Sequence, residues 1–112
     1  MAFSGNFLCT SFKKELMEAK HNFTAASDVF KLALYDNNAS FTAATTAYTS
    51  SNEISGTNYT AKGQFLTSVT PSISSTTALT DFADEIFSNV TISGVRGALI
   101  YNEAATSDPS VC

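Results

Sequence analysis

Near the start of the chain, Leu8, Phe12, Leu16, Ala19 and Phe23 recur at intervals of three and four, the spacing that lines side chains along one side of a helix. The pattern predicts a helix over residues 11–21, with Lys13, Lys14, Glu15, Glu18 and Lys20 on its other sides. Thr10 or Ser11 supplies an N-cap oxygen, and His21 and Asn22 offer a stop. From residue 28 the period changes to two. Residues 28–35 (DVFKLALY) read as a strand with Phe30, Leu32 and Leu34 inward. Val29, Ala33 and Tyr35 make the other face apolar too, which predicts a central strand. Asp36, Asn37 and Asn38 then favour a turn, because Asx side chains bond to nearby backbone.

Residues 39–55 lose the periodicity and fill with Thr and Ser, which predicts a long surface excursion with a short helical turn near Ala43 to Ala47. Gly56 and Gly63 bracket a short edge-like segment over 57–62. Further strands are expected at 65–70, where Pro71 ends the run or marks an edge, and at 77–82, 86–92 and 95–101. Residues 102–109 read as loop, after which Ser110, Val111 and Cys112 look like the opening of another strand. The expected fold is mainly β (α+β): an antiparallel β-sandwich or barrel over residues 28–101, with one N-terminal amphipathic helix packed on it. At 112 residues and 11.9 kDa, the chain holds one core and a single domain over residues 1–112.

Composition narrows the function. Hydrophobic residues make up 44% of the chain, enough to fold, but no apolar run approaches the roughly 20 residues of a membrane-spanning helix. Charged residues are only 14%, and the net charge is −4 with a pI near 4.6, so the counterion-release contribution that drives nucleic-acid binding is missing. Neither nucleic acid nor membrane is an expected partner. Residues 1–8 lack the charged and apolar regions of a signal peptide. A bridge between Cys9 and Cys112 would need the two ends of the chain to meet, and two free, partly buried thiols are the expectation.

Candidate chemistry is sparse. His21 is the single histidine, so a site with two imidazole ligands is excluded; near a helix C-terminus it has an ordinary dipole role. The cysteines lack CxxC spacing, and no phosphate-cradling glycine motif is present. Asp81, Asp84 and Glu85 form an acidic cluster without the alternating donors of a calcium loop, and they read as a hydrated turn rim. Four N-glycosylation triplets, at Asn22, Asn38, Asn58 and Asn89, arise from composition. No catalytic, cofactor-binding or metal-binding residue is expected. A small enzyme would require a pocket joining His21 to Asp81 or Asp84. A glycan binder would require an exposed platform around Tyr48 and Tyr59.

Several blocks, in order along nearly the whole chain, carry a resemblance: SFKKEL at 11–16, LALY at 32–35, TTAY at 45–48, NEISG at 52–56 with Tyr59 and Thr60, and RGALIY at 96–101. With them the sequence resembles a group of small structural proteins of tailed bacteriophages, marine ones especially. The resemblance implies a virion component made in the host cytoplasm, with no catalytic residues to transfer, and members of the group continue past the point matching Val111 and Cys112. The physical reading agrees: polar, uncharged loops on a small β core suit a part that acts by contact with neighbours in many copies. The expected function is a capsid decoration or cement protein stabilising the head shell through contacts with the major capsid protein or other virion proteins, as a homo-oligomer or in many copies on a lattice. The alternative is a tail, neck or tail-fibre component binding host-surface glycan. Phe3, Phe7, Phe41, Tyr48, Ile54 and Tyr59, on the N-terminal residues and the excursion, are the candidate contact surface.

Overall fold

The helix forms where its spacing predicts, and it is shorter. In the computed structural model, which describes residues 5–112, α1 spans Thr10–Met17. Cys9 occupies the N-cap position in an extended conformation, without a side-chain cap bond, so neither Thr10 nor Ser11 plays that part. The stop comes at Ala19, whose φ of 56° is left-handed. The Ala19 N–H donates to Leu16 O and the Lys20 N–H to Glu15 O, the paired bonds of a Schellman C-cap. Only Phe12 of the helix is buried, while Leu8 and Leu16 stay about half exposed. The apolar stripe is therefore divided: Phe12 and Phe23 meet edge to face at 5.9 Å, while Leu8 before them and Leu16 between them face outward.

Three strands build the main sheet: β1 (Phe30–Tyr35), β2 (Gln64–Leu66) and β5 (Gly97–Asn102), in the order β2-β1-β5 and antiparallel throughout. The central place of β1 follows from its two apolar faces, as expected. Its inward face needs correction, because both faces are covered. Ala33 and Tyr35 are fully buried, as are Leu99, opposite Ala33, and Tyr101, opposite Lys31, whereas Leu32 and Leu34 are only partly buried. The Ala33 face carries one core, with Ala39, Phe41 and Tyr48 laid over it. The Phe30 face carries a second, made with Cys9, Phe12 and Val111 and joined by Phe23, Leu66, Phe82 and Ile100.

Strands β3 (Ser68–Ser74) and β4 (Thr77–Phe82) pair only with each other, as a two-stranded antiparallel ribbon. Pro71 falls inside β3, where the register shifts between Val69 and Ser72, a bulge that accommodates its missing N–H. The protein is thus β-rich α+β with antiparallel sheets in a compact body. Its ribbon is separate from the main sheet.

One expected strand, at 86–92, and the edge-like segment at 57–62 do not form. Residues 57–62 turn at Asn58 and Lys62, both with positive φ. Residues 86–92 contribute a single bridge, Thr57 to Thr91, and Asn89 at φ 53° interrupts the extended run. The region near Ala43 makes a turn, closed by Thr45 N–H to Thr42 O, and no helix. The final residues do run as an edge: Ser110 bridges Tyr101, the Val111 N–H donates to Ile100 O, and the Cys9 N–H donates to Val111 O. Both ends of the described chain therefore meet beside β5. Among the described residues, no helix is long and apolar enough to cross a membrane.

Candidate functional site

All four tyrosines converge over the Ala33 face of β1. Glu53, held beside Tyr35 by an antiparallel bridge, is the hub. Its Oε2 accepts from the Tyr48 hydroxyl at 2.6 Å; its Oε1 accepts from the Tyr59 hydroxyl at 2.9 Å and from the Lys62 N–H at 2.8 Å. The Tyr59 oxygen accepts in turn from the Leu34 N–H. Tyr35 donates to Thr49 O and Tyr101 to Lys62 O. The Lys62 ammonium reaches Asp108 at 3.3 Å and Glu103 at 3.6 Å, and it lies 5.7 Å from the Tyr48 ring centroid. Burial is the first cause that raises all four phenols, and nearby Glu53 reinforces it. The Tyr59 hydroxyl is pushed up to about 12, although the bond from Leu34 acts against the shift. Protonated phenols that donate to a carboxylate are poor bases and poor nucleophiles, so this network fastens the 36–63 segment to the sheet.

A second polar network lies across the molecule. His21 is buried between Phe12 and Phe30. Its Nε2 is 2.8 Å from Glu15 Oε2, and its Nδ1 is 3.1 Å from the side-chain amide nitrogen of Asn102. That nitrogen also donates to Asp28 Oδ2, and Asn102 Oδ1 accepts from the Ala104 N–H. The amide orientation assigns Nδ1 as acceptor and places the imidazole proton on Nε2. For Glu15, burial pushes the carboxyl up, but the bonds from His21 and Lys20 and the Lys20 charge outweigh it and hold it below its usual range. His21 is thus a buried link between helix and sheet, where the sequence suggested only a dipole role. Its neighbours are Glu15 and Asn102, not Asp81 or Asp84.

Glu85, from the acidic cluster, accepts from the Thr67 N–H and from Gln64. Those bonds hold its carboxyl low. No cluster among the described residues could hold a metal ion. A cavity of about 410 Å³ lies between Phe7, Leu32, Phe41, Arg96, Ile100 and Cys112; it brings no nucleophile and base together.

Most of the expected contact residues turn inward. Ile54 is buried, Phe41 stands edge-on to Tyr35 at 4.6 Å, and Phe7 packs against the Phe30 core. Tyr48 stacks near Tyr101 and Tyr59 near Phe87, both half-buried, with their hydroxyls on Glu53. Neither offers the open platform that a sugar ring requires. Phe3 lies outside the described residues. The exposed apolar groups are elsewhere. Every residue from 69 to 81 is exposed, including Val69, Leu79 and Ile73, the last at 80%, and Ile86 nearby is 75% exposed. The signal for this was in the composition of SVTPSISSTTALTDF: each strand alternates, but the stretch has too few large apolar residues to cover a core.

No protein-family model matches the chain, and no curated protein or solved structure is significantly similar to it.

Proposed function

We propose that this protein is a non-enzymatic structural subunit of a bacteriophage particle, a decoration or cement protein that binds the head shell through protein–protein contacts. The observation that carries the reading is the β3–β4 ribbon. A two-stranded ribbon is marginal by itself in water, and this one leaves two open edges, with Asp81 its single charge. Open edges and exposed Val69, Ile73 and Leu79 are an assembly surface in search of a neighbouring strand or apolar face. The compact remainder, in which the Glu53–tyrosine and His21–Glu15–Asn102 networks are closed on themselves, supports a role by contact and not by turnover. On a lattice, modest contacts from each copy sum through avidity. The resemblance of the sequence blocks to small phage structural proteins supplies the setting, with the major capsid protein as the partner.

Cryo-electron microscopy of the particle tests this. The expected result is density for the chain in hundreds of copies on the shell, with the ribbon against a capsid subunit. Absence from purified particles would overturn the proposal, and a few copies confined to the tail would replace decoration with a tail role.

A further inference from the structure

The two cysteines lie far apart in the sequence and side by side in the fold. The Cys9 N–H donates at 2.9 Å to the carbonyl of Val111, the peptide group that joins Val111 to Cys112. With standard backbone dimensions, that bond keeps the Cα atoms of Cys9 and Cys112 within about 7 Å, close to the span of a disulfide. Both side chains turn to the same place: Cys9 is fully buried with Phe12, Phe30 and Val111, and Cys112 packs against that cluster while staying partly exposed. Both thiols are free. Cys112 also lines the cavity of about 410 Å³, which gives a small reagent a route to its sulfur.

We infer that Cys9 and Cys112 are a modification site, closed into an intramolecular disulfide by a low-molecular-weight disulfide such as oxidised glutathione. The Cys112 thiolate attacks one sulfur of the oxidant, which forms a mixed disulfide and releases one glutathione. The Cys9 sulfur then attacks the Cys112 sulfur and releases the second. Two electrons pass from the protein to the oxidant, each thiol proton ends on a departing glutathione, and one S–S bond replaces another. Burial, with Cys9 close by, pushes the Cys112 thiol up, so mildly alkaline solution favours its reactive form. The loop closed by the link takes in almost the whole chain, which restricts the unfolded state far more than the folded one. Nothing in this depends on what the protein assembles with.

The test is to incubate the purified full chain with oxidised glutathione at mildly alkaline pH, unfold it in an alkylating reagent and weigh it. A second portion is melted. The expected product is a monomer lighter by two hydrogens that takes up no reagent, melts at least about 5 °C higher and reverts with dithiothreitol. Cys112→Ser, treated identically, should show no rise in melting temperature. A stable glutathione adduct on Cys112, disulfides between chains, or two thiols still alkylatable after oxidation would each overturn the inference.

Discussion

Single residues decide where the elements stop. Ala19 closes α1 in a conformation that costs an L-residue roughly 1–2 kcal/mol and glycine almost nothing. Ala19→Gly is therefore expected to stabilise the protein by about 0.5–1 kcal/mol, net of the added freedom of the unfolded chain, as measured by urea unfolding. The same residue explains why the pattern in the sequence overran: with no glycine or proline to mark the end, the periodic spacing continued to His21. Gly63 is the opposite case. It sits at φ 80°, and an added Cβ would lie 2.0 Å from the Leu32 carbonyl oxygen. Gly63→Ala must push the loop off β1, and a loss of about 3 kcal/mol or more is expected in the same measurement. At Glu53, alanine leaves two partly buried hydroxyls and the Lys62 N–H without their acceptor, an expected loss of about 2–4 kcal/mol. The tyrosines give the network a pH signature. Because the folded Tyr59 hydroxyl titrates above its ordinary value of 10.0, its contribution to stability is complete below pH 10 and is lost as pH rises toward about 12. Urea unfolding across that range should show the decline, and absorbance titration should show phenolate appearing late.

At the scale of elements, β3 and β4 differ from every other strand in what they bury. Phe82 at the root of the ribbon packs on Phe23 and Phe30 with centroids 6.2 and 5.6 Å away, whereas Ile73 near the tip touches mostly water. Phe82→Ala should cost about 3 kcal/mol, while Ile73→Ser should change stability by less than about 0.5 kcal/mol. If the ribbon is the assembly surface, the Ile73→Ser protein folds normally and fails to bind particles in a co-sedimentation assay; full binding by that variant would separate the ribbon from the function. Alternation in the sequence gave β4 the same bounds as the structure, but the single strand expected at 65–70 splits into the end of β2 and the start of β3, which runs on through Pro71 to Ser74. It could not report that β3 and β4 stand apart, because period two is a property of one strand, and the choice of neighbour is made by the rest of the core. The same limit applied to β1. FKLALY is apolar on both faces, so spacing could place it at the centre but could not tell which face held the larger core. The burial of the aromatic residues in the 36–63 segment is hidden in the sequence for a related reason. Aromatic side chains in a segment rich in Ser and Thr look exposed until Glu53 is seen to gather their hydroxyls.

At the scale of the whole molecule, one three-stranded sheet is too small to bury much alone, and the chain thickens it from both ends and on both faces. The 36–63 segment covers the Ala33 face; α1, the ribbon root and the terminal segments cover the Phe30 face. The last four residues are part of this cover. Ser110 is fully buried and its hydroxyl donates to Thr45 O, Val111 is 5% exposed, and the backbone of 109–112 meets β5 through the N–H groups of Ile100, Asn102 and Val111. Deleting residues 109–112 removes Val111 and Cys112 from the Phe30 core, uncovers the edge of β5 and strands the Cys9 N–H. An unpaired buried N–H costs about 1–3 kcal/mol, and the lost apolar burial adds about as much again. The sum, about 2–6 kcal/mol, is a large share of the roughly 5–15 kcal/mol that holds a domain folded. The truncated chain should therefore lose its cooperative melting transition, bind a hydrophobic dye and aggregate through the opened edge. Melting with full cooperativity would mean that the sheet closes without residues 109–112, and that the meeting of the two ends is packing the fold can do without.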